Sequence, residues 1–103
     1  MIALVDSRKK EIADICRRLA VRRLDVFGSA VGETFDAVRS DIDFVVEFAN
    51  HNQPGILDRY LALAEEGLEA LLHRPVDLVT TESIRNPYFR KAVESTREAV
   101  YAS

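Results

Sequence analysis

The sequence predicts an α+β fold in which a small mixed β-sheet is flanked by helices. Two kinds of segment carry this prediction: short apolar runs that alternate as strands do, and longer runs whose apolar residues recur at helical spacing. Their expected order along the chain is αβ(α)βαβα. The length of 103 residues is typical of one domain, so residues 1–103 are expected to fold around a single core.

The N-terminal part of the chain is expected to form a helix and then a strand. Asp6 or Ser7 is expected to cap the helix. The residues that recur at helical spacing are Ile12, Ile15, Cys16 and Leu19. The following segment RRLDVFG alternates as a strand, with Leu24 and Val26 on one face.

The middle of the chain is expected to hold a second strand and a long helix. SAVGETFDAVR is interpreted as a short helical turn and a loop, and SDIDFVVEF as the strand. A stripe of apolar residues from Leu57 to Leu72 indicates the helix. Gly67 lies inside it at a cost of about 1 kcal/mol, so a break is expected there.

The C-terminal part is expected to form a third strand, RPVDLVT, and a last helix, NPYFRKAVESTREAVY. His73 is interpreted as a left-handed residue that ends the preceding helix. Asn86 is expected to cap the last helix, with Pro87 in its first turn. The three tyrosines are interpreted as packing residues: Tyr60, Tyr88 and Tyr101.

Composition argues against several classes of protein. No apolar run approaches the roughly 18 residues of a membrane span, and the start MIALVD does not resemble a signal peptide. A cytoplasmic protein without membrane contact is therefore expected. The single cysteine, Cys16, allows no internal disulfide and is expected to be a buried, unreactive thiol.

Charge is distributed unevenly along the chain. Residues 1–23 hold seven basic and three acidic residues, a balance of +4, whereas the remainder holds seven basic and fourteen acidic residues, a balance of −7. The segment RRLAVRR is interpreted either as a solvated helix end or as a rim that attracts a polyanion. The acidic net charge and the lack of interleaved aromatic and basic residues argue against dedicated nucleic-acid binding.

Two acids interrupt the second strand, and alternation places Asp41 and Asp43 on one face while apolar residues make the other. Without a cation the two carboxylates repel each other by roughly 3 kcal/mol at an effective dielectric constant near 20. A divalent metal turns that repulsion into binding. Mg²⁺ takes carboxylate and water oxygens and completes its shell with substrate phosphates, so this spacing favours a magnesium site.

A third acid, Asp77, lies alone among the apolar residues of the third strand. If that strand neighbours the second one, Asp77 can join the same site. Three carboxylates can hold two metal ions, one that activates an attacking oxygen and one bound to phosphates.

The Gly28-Ser29 pair ends the first strand and can supply the other half of a phosphate site. Glycine lets backbone approach a phosphate closely, and the Ser29 hydroxyl and nearby backbone N–H groups can donate to an anion. The pair alone is a weak signal, but SDID on the next strand makes it more specific. It is not a Walker loop, because the sequence contains no GxxxxGK.

On these residues the chain resembles the minimal nucleotidyltransferases of the DNA polymerase-β superfamily, over essentially its whole length. The segments that carry the resemblance are FGS followed by SDIDFVVEF, then LLHRPVDLVT and NPYFRKAVESTREAVY. The resemblance implies the polymerase-β-like nucleotidyltransferase fold and ATP as substrate. It implies that Gly28 and Ser29 bind the triphosphate, and that Asp41, Asp43 and Asp77 bind catalytic Mg²⁺ (two ions, with Mn²⁺ as a possible substitute).

Small members of this family commonly serve as the antitoxin of HEPN–MNT toxin–antitoxin pairs, in which AMP passes from ATP to a tyrosine of the HEPN ribonuclease. The resemblance therefore implies a hetero-oligomer with a HEPN-type toxin. The short chain supports this, because an acceptor has to bring its own recognition surface. Two alternatives stay open: a binding-only antitoxin with a vestigial site, and a subunit of a small-molecule nucleotidyltransferase of the aminoglycoside type.

Overall fold

The computed structural model describes residues 1–28 and 41–103. The strands are β1 (Val21–Phe27), β2 (Ile42–Phe48), β3 (Val76–Thr80) and β4 (Glu98–Ala102). The α-helices are α1 (Ala3–Asp6), α2 (Lys9–Arg18), α3 (Ile56–Leu61), α4 (Ala70–Leu72) and α5 (Pro87–Thr96). A π-helical segment, Ala62–Glu69, joins α3 to α4, and a 3₁₀ turn, Thr81–Ser83, follows β3.

The four strands form one mixed sheet in the order β3-β2-β1-β4. β1 pairs antiparallel with both β2 and β4, whereas β2 and β3 run parallel. The parallel pair is connected through the long helix made of α3, the π-helical segment and α4, as a parallel crossover requires. The predicted α+β architecture, a small mixed sheet flanked by helices, is confirmed.

The sheet is apolar on both faces, and each face packs against different helices. One face makes the main core with α2 and the π-helical segment; its wholly buried members include Ile12, Leu24, Phe44 and Leu63. The other face carries a smaller cluster of Phe27, Val45, Ile84 and Val93, beneath α5. The alternation expected for β1 and β2 is confirmed, since Leu24 and Phe44 face the main core while Phe27 and Val45 face the second cluster.

The N-terminal helix differs from its prediction. The chain forms the short α1, turns at Ser7 and Arg8, and only then begins α2, so neither Asp6 nor Ser7 caps the longer helix. Arg8 stands at the N-cap of α2 without a side-chain capping bond. The buried side of α2 is nevertheless the predicted one: Ile12, Ile15 and Cys16.

The long helix continues through Gly67 where a break was predicted. The chain widens to π-helical winding over Ala62–Glu69 and returns to α-helix at α4. Gly67 is buried here because it packs on α2: a β-carbon added to it would stand 2.9 Å from Ile15 Cγ2. His73 then ends the helix with φ 55° and ψ 42°, the predicted left-handed conformation.

The last predicted helix is too long, and the sheet has a strand that the sequence interpretation missed. Asn86 caps α5 as predicted and accepts from Tyr88 N–H at 2.8 Å. The helix ends at Thr96, Arg97 is extended, and the remaining residues form β4 against β1. Val100 is 8% exposed and packs in the main core. Pairing of these residues with the open edge of β1 buries Val100, and this burial outweighs the local preference to continue the helix.

The segment interpreted as a helical turn and loop, SAVGETFDAVR, lies at 29–39, outside the described residues. None of the helices in the described ranges combines the length and hydropathy that crossing a membrane requires.

Candidate functional site

The parallel pairing of β2 with β3 places two of the predicted acids side by side. Asp43 and Asp77 are direct register partners, so their side chains share one face of the sheet on neighbouring strands. The predicted second strand included Asp41, but β2 begins at Ile42, so Asp41 lies just before the strand. Asp41 is exposed, as is Asp77. The condition set for Asp77, that its strand neighbours the second strand, is therefore met.

Asp43 is the partly buried member of this group. Burial raises its pKa from 3.8 to about 6, and the neighbouring charges of Asp77 and then Asp41 contribute in the same direction. The three carboxylates therefore interact electrostatically, and a cation between them would relieve an existing repulsion.

Gly28 lies directly against Asp43. It follows the last residue of β1, whose partner in the ladder is Asp43 itself. Its φ of +70° belongs to the left-handed region that favours glycine. A β-carbon built on Gly28 would stand 3.0 Å from Asp43 Oδ2, so the turn requires glycine both for its backbone and for the space of a carboxylate.

The Gly28 N–H is not free to meet a phosphate, because it donates to Thr96 Oγ1 of α5 at 3.0 Å. The sequence interpretation gave glycine the role of letting backbone approach a phosphate. The structure adds a different reason, the close approach of the Asp43 carboxylate. Ser29, the other half of the predicted phosphate turn, lies outside the described residues.

The donor set is suited to Mg²⁺, which prefers oxygen ligands, and contains no sulfur or imidazole that would favour zinc. Within residues 1–28 and 41–103, no three acidic, histidine or cysteine side chains already converge closely enough to hold a metal ion. Asp43 and Asp77 are thus neighbours by register, and the charge of Asp41 also acts on Asp43, but the three acids are not a ready-made cage. The three acids fit Mg²⁺ by the chemistry of their oxygens and by their placement near one another.

One buried acid, Asp25, was not identified from the sequence as a residue of interest. Asp25 on β1 is wholly buried, two ladder positions from Asp43 on the same face, where it is the partner of Val45. Arg23 donates to it at 2.9 Å, and Arg97, at the end of α5, donates to its other oxygen. The pattern of a lone acid in an apolar strand marks Asp25 as clearly as Asp77, but its arginine partners neutralise it.

Tyr60 stands near the third acid. Its hydroxyl donates to the Leu78 carbonyl of the edge strand β3, and burial followed by the charge of Asp77 raises the pKa of this phenol. The predicted packing role of Tyr60 agrees with its contact with the main core. Tyr88 contradicts that prediction, because it is 85% exposed.

Cys16 is a core residue and does not belong to the group of acids. It is wholly buried in the main core, and burial raises the pKa of its thiol to about 12. The prediction of a buried thiol is confirmed, and a thiol that stays protonated is a poor nucleophile.

The sequence matches the family model described as "Nucleotidyltransferase domain" over residues 9–100. A curated relative, the protein adenylyltransferase MntA of Thermococcus cleftensis, is 37% identical over 100 residues, which cover 96% of this chain and 89% of that protein. These matches include β1, β2 and β3, the three strands that carry the acids and the glycine.

Two solved structures share the fold. One, provisionally described as a minimal nucleotidyltransferase, is 26% identical, has a TM-score of 0.73 and covers 91% of this chain and 90% of that one. The other is a crystal structure of a toxin–antitoxin with AMP-PNP. It is 23% identical, has a TM-score of 0.70 and covers 92% of this chain and 73% of that one.

Proposed function

Because this chain belongs to the nucleotidyltransferase domain family, we propose that it transfers AMP from ATP to a tyrosine of a HEPN ribonuclease toxin and thereby silences the toxin. The observation that carries the proposal is the register of β2 and β3, which sets Asp43 beside Asp77. Gly28 follows β1 beside the same carboxylate, since a β-carbon added to it would stand 3.0 Å from Asp43 Oδ2. The Gly28-Ser29 pair that we propose binds phosphate and the acids that we propose bind the metal would therefore lie next to each other.

Mg²⁺ would be held by Asp41, Asp43 and Asp77, whose oxygens are its preferred ligands. When bound, the metal neutralises phosphate charge and lowers the barrier to phosphoryl transfer. The chain's own contribution is to keep the three carboxylates near one another despite their repulsion. A bound dication would relieve that repulsion.

The proposed reaction is one substitution at the α-phosphorus of ATP. The phenolic oxygen of the acceptor tyrosine forms a bond to that phosphorus, and the bond from the α-phosphorus to the bridging oxygen of the β-phosphate breaks. Pyrophosphate leaves with that oxygen, and the phenolic proton passes to a nearby carboxylate or to water. AMP is then joined to the tyrosine, and no oxidant or reductant is needed.

A protein acceptor suits the placement of the acids. Asp41 and Asp77 are exposed, so in the described part of the chain this end of the sheet is open to a large partner. The name of the Thermococcus relative, a protein adenylyltransferase, supports the same acceptor class. The toxin–antitoxin structure with AMP-PNP, which shares the fold, supports a nucleotide-binding protein that works in a pair.

The decisive experiment follows the label of ATP that carries ³²P at the α-phosphate. The protein is incubated with Mg²⁺ and the HEPN protein encoded beside it, and, separately, with a panel of small aminoglycosides. We expect label on the partner protein and a mass increase of one or more AMP groups at a tyrosine. Label on the small molecules instead would favour a small-molecule nucleotidyltransferase.

Asp41→Asn separates catalysis from contact, because it changes one exposed carboxylate and leaves the surface nearly unaltered. We expect this variant to bind the partner but neither to label it nor to protect cells from it. An enzyme also turns over, so a small amount of wild-type protein should silence an excess of partner when ATP is present. Full protection by Asp41→Asn at equal stoichiometry, with the partner unmodified, would establish a binding-only antitoxin.

A further inference from the structure

The last helix is attached to the end of β1 at three successive points. The Phe27 and Phe89 rings meet edge to face with centroids 5.9 Å apart. Gly28 N–H donates to Thr96 Oγ1 at 3.0 Å. The carboxylate of Asp25 binds Arg97. Helix α5 is therefore fastened along the strand that leads into the glycine turn.

The Thr96 hydroxyl is oriented to accept. Its own hydrogen goes to the Ala92 carbonyl of the preceding helical turn at 2.9 Å, which leaves the oxygen lone pairs for the Gly28 N–H. The next residue, Arg97, forms an ion pair with the buried Asp25 of β1, which attaches the end of α5 to that strand. The bond thus joins the glycine turn to this end of α5.

We propose that Thr96 is a positioning residue for nucleotide binding. The inference rests on the proposed function and deepens it: Thr96 acts through Gly28 and does not touch the nucleotide. Its hydroxyl holds Gly28 in the left-handed conformation, beside Asp43, and Gly28 is the first residue of the Gly28-Ser29 pair that we propose binds the triphosphate. Because the Gly28 N–H is already engaged by Thr96, the phosphates must take their donors from other groups.

The test compares three variants. Thr96→Val keeps the shape of the side chain and removes the acceptor, and Thr96→Ser restores the hydroxyl without the methyl group. Ser95→Ala is the matched control, since the Ser95 hydroxyl donates to the same Ala92 carbonyl, at 3.0 Å, and makes no bond to Gly28. Any effect due only to the end of the helix should appear equally in Ser95→Ala.

Two measurements are made on each variant. The first is the affinity for AMP-PNP with Mg²⁺ by calorimetry, together with KM for ATP and kcat on the partner. The second is hydrogen exchange of the Gly28 amide by NMR, which is practical because the chain has only four glycines. The exchange readout needs no activity and reports directly on the bond.

We expect Thr96→Val to expose the Gly28 amide to exchange and to weaken AMP-PNP binding about tenfold, with KM raised similarly and kcat changed less than about twofold. Thr96→Ser and Ser95→Ala should behave as the wild type. If exchange of the Gly28 amide is unchanged in Thr96→Val, the hydrogen bond between Gly28 and Thr96 does not protect that amide and the proposal is wrong. If exchange is faster but AMP-PNP affinity is normal, Thr96 does not position the nucleotide site. A wild-type protein that binds no AMP-PNP would overturn the proposed function itself. The exchange data would still test the hydrogen bond between Gly28 and Thr96.

Discussion

A β-carbon placed on Gly28 would stand 3.0 Å from Oδ2 of Asp43, a separation tighter than nearly all contacts that real β-carbons make. The glycine turn and the central carboxylate therefore occupy adjoining space, and neither can change without the other. The nearest obstacle is the end of a side chain rather than backbone, so Asp43 can swing aside. The consequence of filling this space should fall on the chemistry of the site more than on the fold.

Gly28→Ala tests this relationship. Alanine costs about 1 kcal/mol in the left-handed backbone conformation, and its methyl group displaces the Asp43 carboxylate. We expect a modest fall in the free energy of unfolding and a loss of at least tenfold in Mg²⁺-dependent transfer. Urea denaturation and labelled nucleotide transfer measure the two effects.

Gly55→Ala is the control, because Gly55 also has a left-handed backbone, with φ +90°, but has nothing within 4 Å of an added β-carbon. It should lose a similar amount of stability and keep its activity. Equal activity in the two variants would mean that the position of Asp43 does not matter for transfer.

Asp43→Asn should remove a pH dependence of the metal-free protein. With a pKa of about 6 in the folded chain against 3.8 in the unfolded chain, Asp43 binds its proton more strongly when folded. Its contribution to stability is therefore present below pH 4 and is lost as pH rises through about 6. The shift would correspond to roughly 3 kcal/mol, but solvent screening at this partly exposed carboxylate reduces the expected effect to about 1 kcal/mol.

The measurement is urea denaturation in EDTA at pH 4 and pH 7.5. We expect the Asp43→Asn variant to be about 1 kcal/mol more stable than wild type at pH 7.5, with a smaller difference at pH 4. Asp58→Asn, a change of an exposed acid on α3, is the control for the loss of one carboxylate. A difference between Asp43→Asn and wild type that stays constant with pH would contradict the assignment of the shift to Asp43.

The sequence predicted the proximity of the acids better than it predicted the surrounding structure, for a physical reason. Alternation along a strand is local, so spacing alone predicted that Asp41 and Asp43 are neighbours. The structure shows that the charge of Asp41 acts on Asp43, although Asp41 lies just before β2. The neighbourhood of Asp77 depended on strand order, which local patterns do not specify, and the structure supplies it through the β2–β3 register. Asp25 shows the limit of such predictions. It is also a lone acid in an apolar strand, but it forms an ion pair with Arg97, which is 72 positions away along the chain.

The C-terminal strand β4 could not be predicted from the local secondary-structure preference of its residues. Residues 98–102 continue a helical pattern as plausibly as they alternate, and the outcome depends on the open edge of β1, a tertiary feature. Gly67 was misjudged for a similar reason. A glycine in a helix predicts a break when only propensity is considered, but here the missing side chain lets the helix approach Ile15.

Arg97→Met should be costly, because it leaves Asp25, which has no exposed surface, with Arg23 as its remaining partner. Removing one partner of a buried charge typically costs about 3 kcal/mol. Arg17→Met is the matched control, since Arg17 and Asp14 form an exposed pair on α2 worth less than about 1 kcal/mol. Thermal and urea denaturation measure both.

The double variant Asp25→Leu/Arg97→Met should recover most of the stability lost in Arg97→Met, because it removes the uncompensated charge and leaves Arg23 free to reach solvent. If Arg97→Met costs no more than Arg17→Met, the Asp25 pair does not secure the junction of α5 and β4.

Gly67→Ala sets two opposed effects against each other. Alanine in a helix is favoured over glycine by about 1 kcal/mol, whereas the added methyl group would stand 2.9 Å from Ile15 Cγ2 and 3.3 Å from the Ala62 carbonyl oxygen. Overpacking of this kind typically costs roughly 1–3 kcal/mol. Ile15 is branched and buried and the carbonyl belongs to the backbone, so neither can yield easily, and we expect a net loss of about 1 kcal/mol in urea denaturation.

The sign should change when the obstacle is removed. In an Ile15→Ala background, itself destabilised by about 2–5 kcal/mol, Gly67→Ala no longer meets the isoleucine and should stabilise the protein through helix propensity and partial filling of the cavity. Glu66→Ala, on the exposed side of the same π-helical segment, should change little in either background. A stabilising Gly67→Ala in the wild-type background would show that the helix and α2 are not in close contact at this point, and that Gly67 serves no packing role.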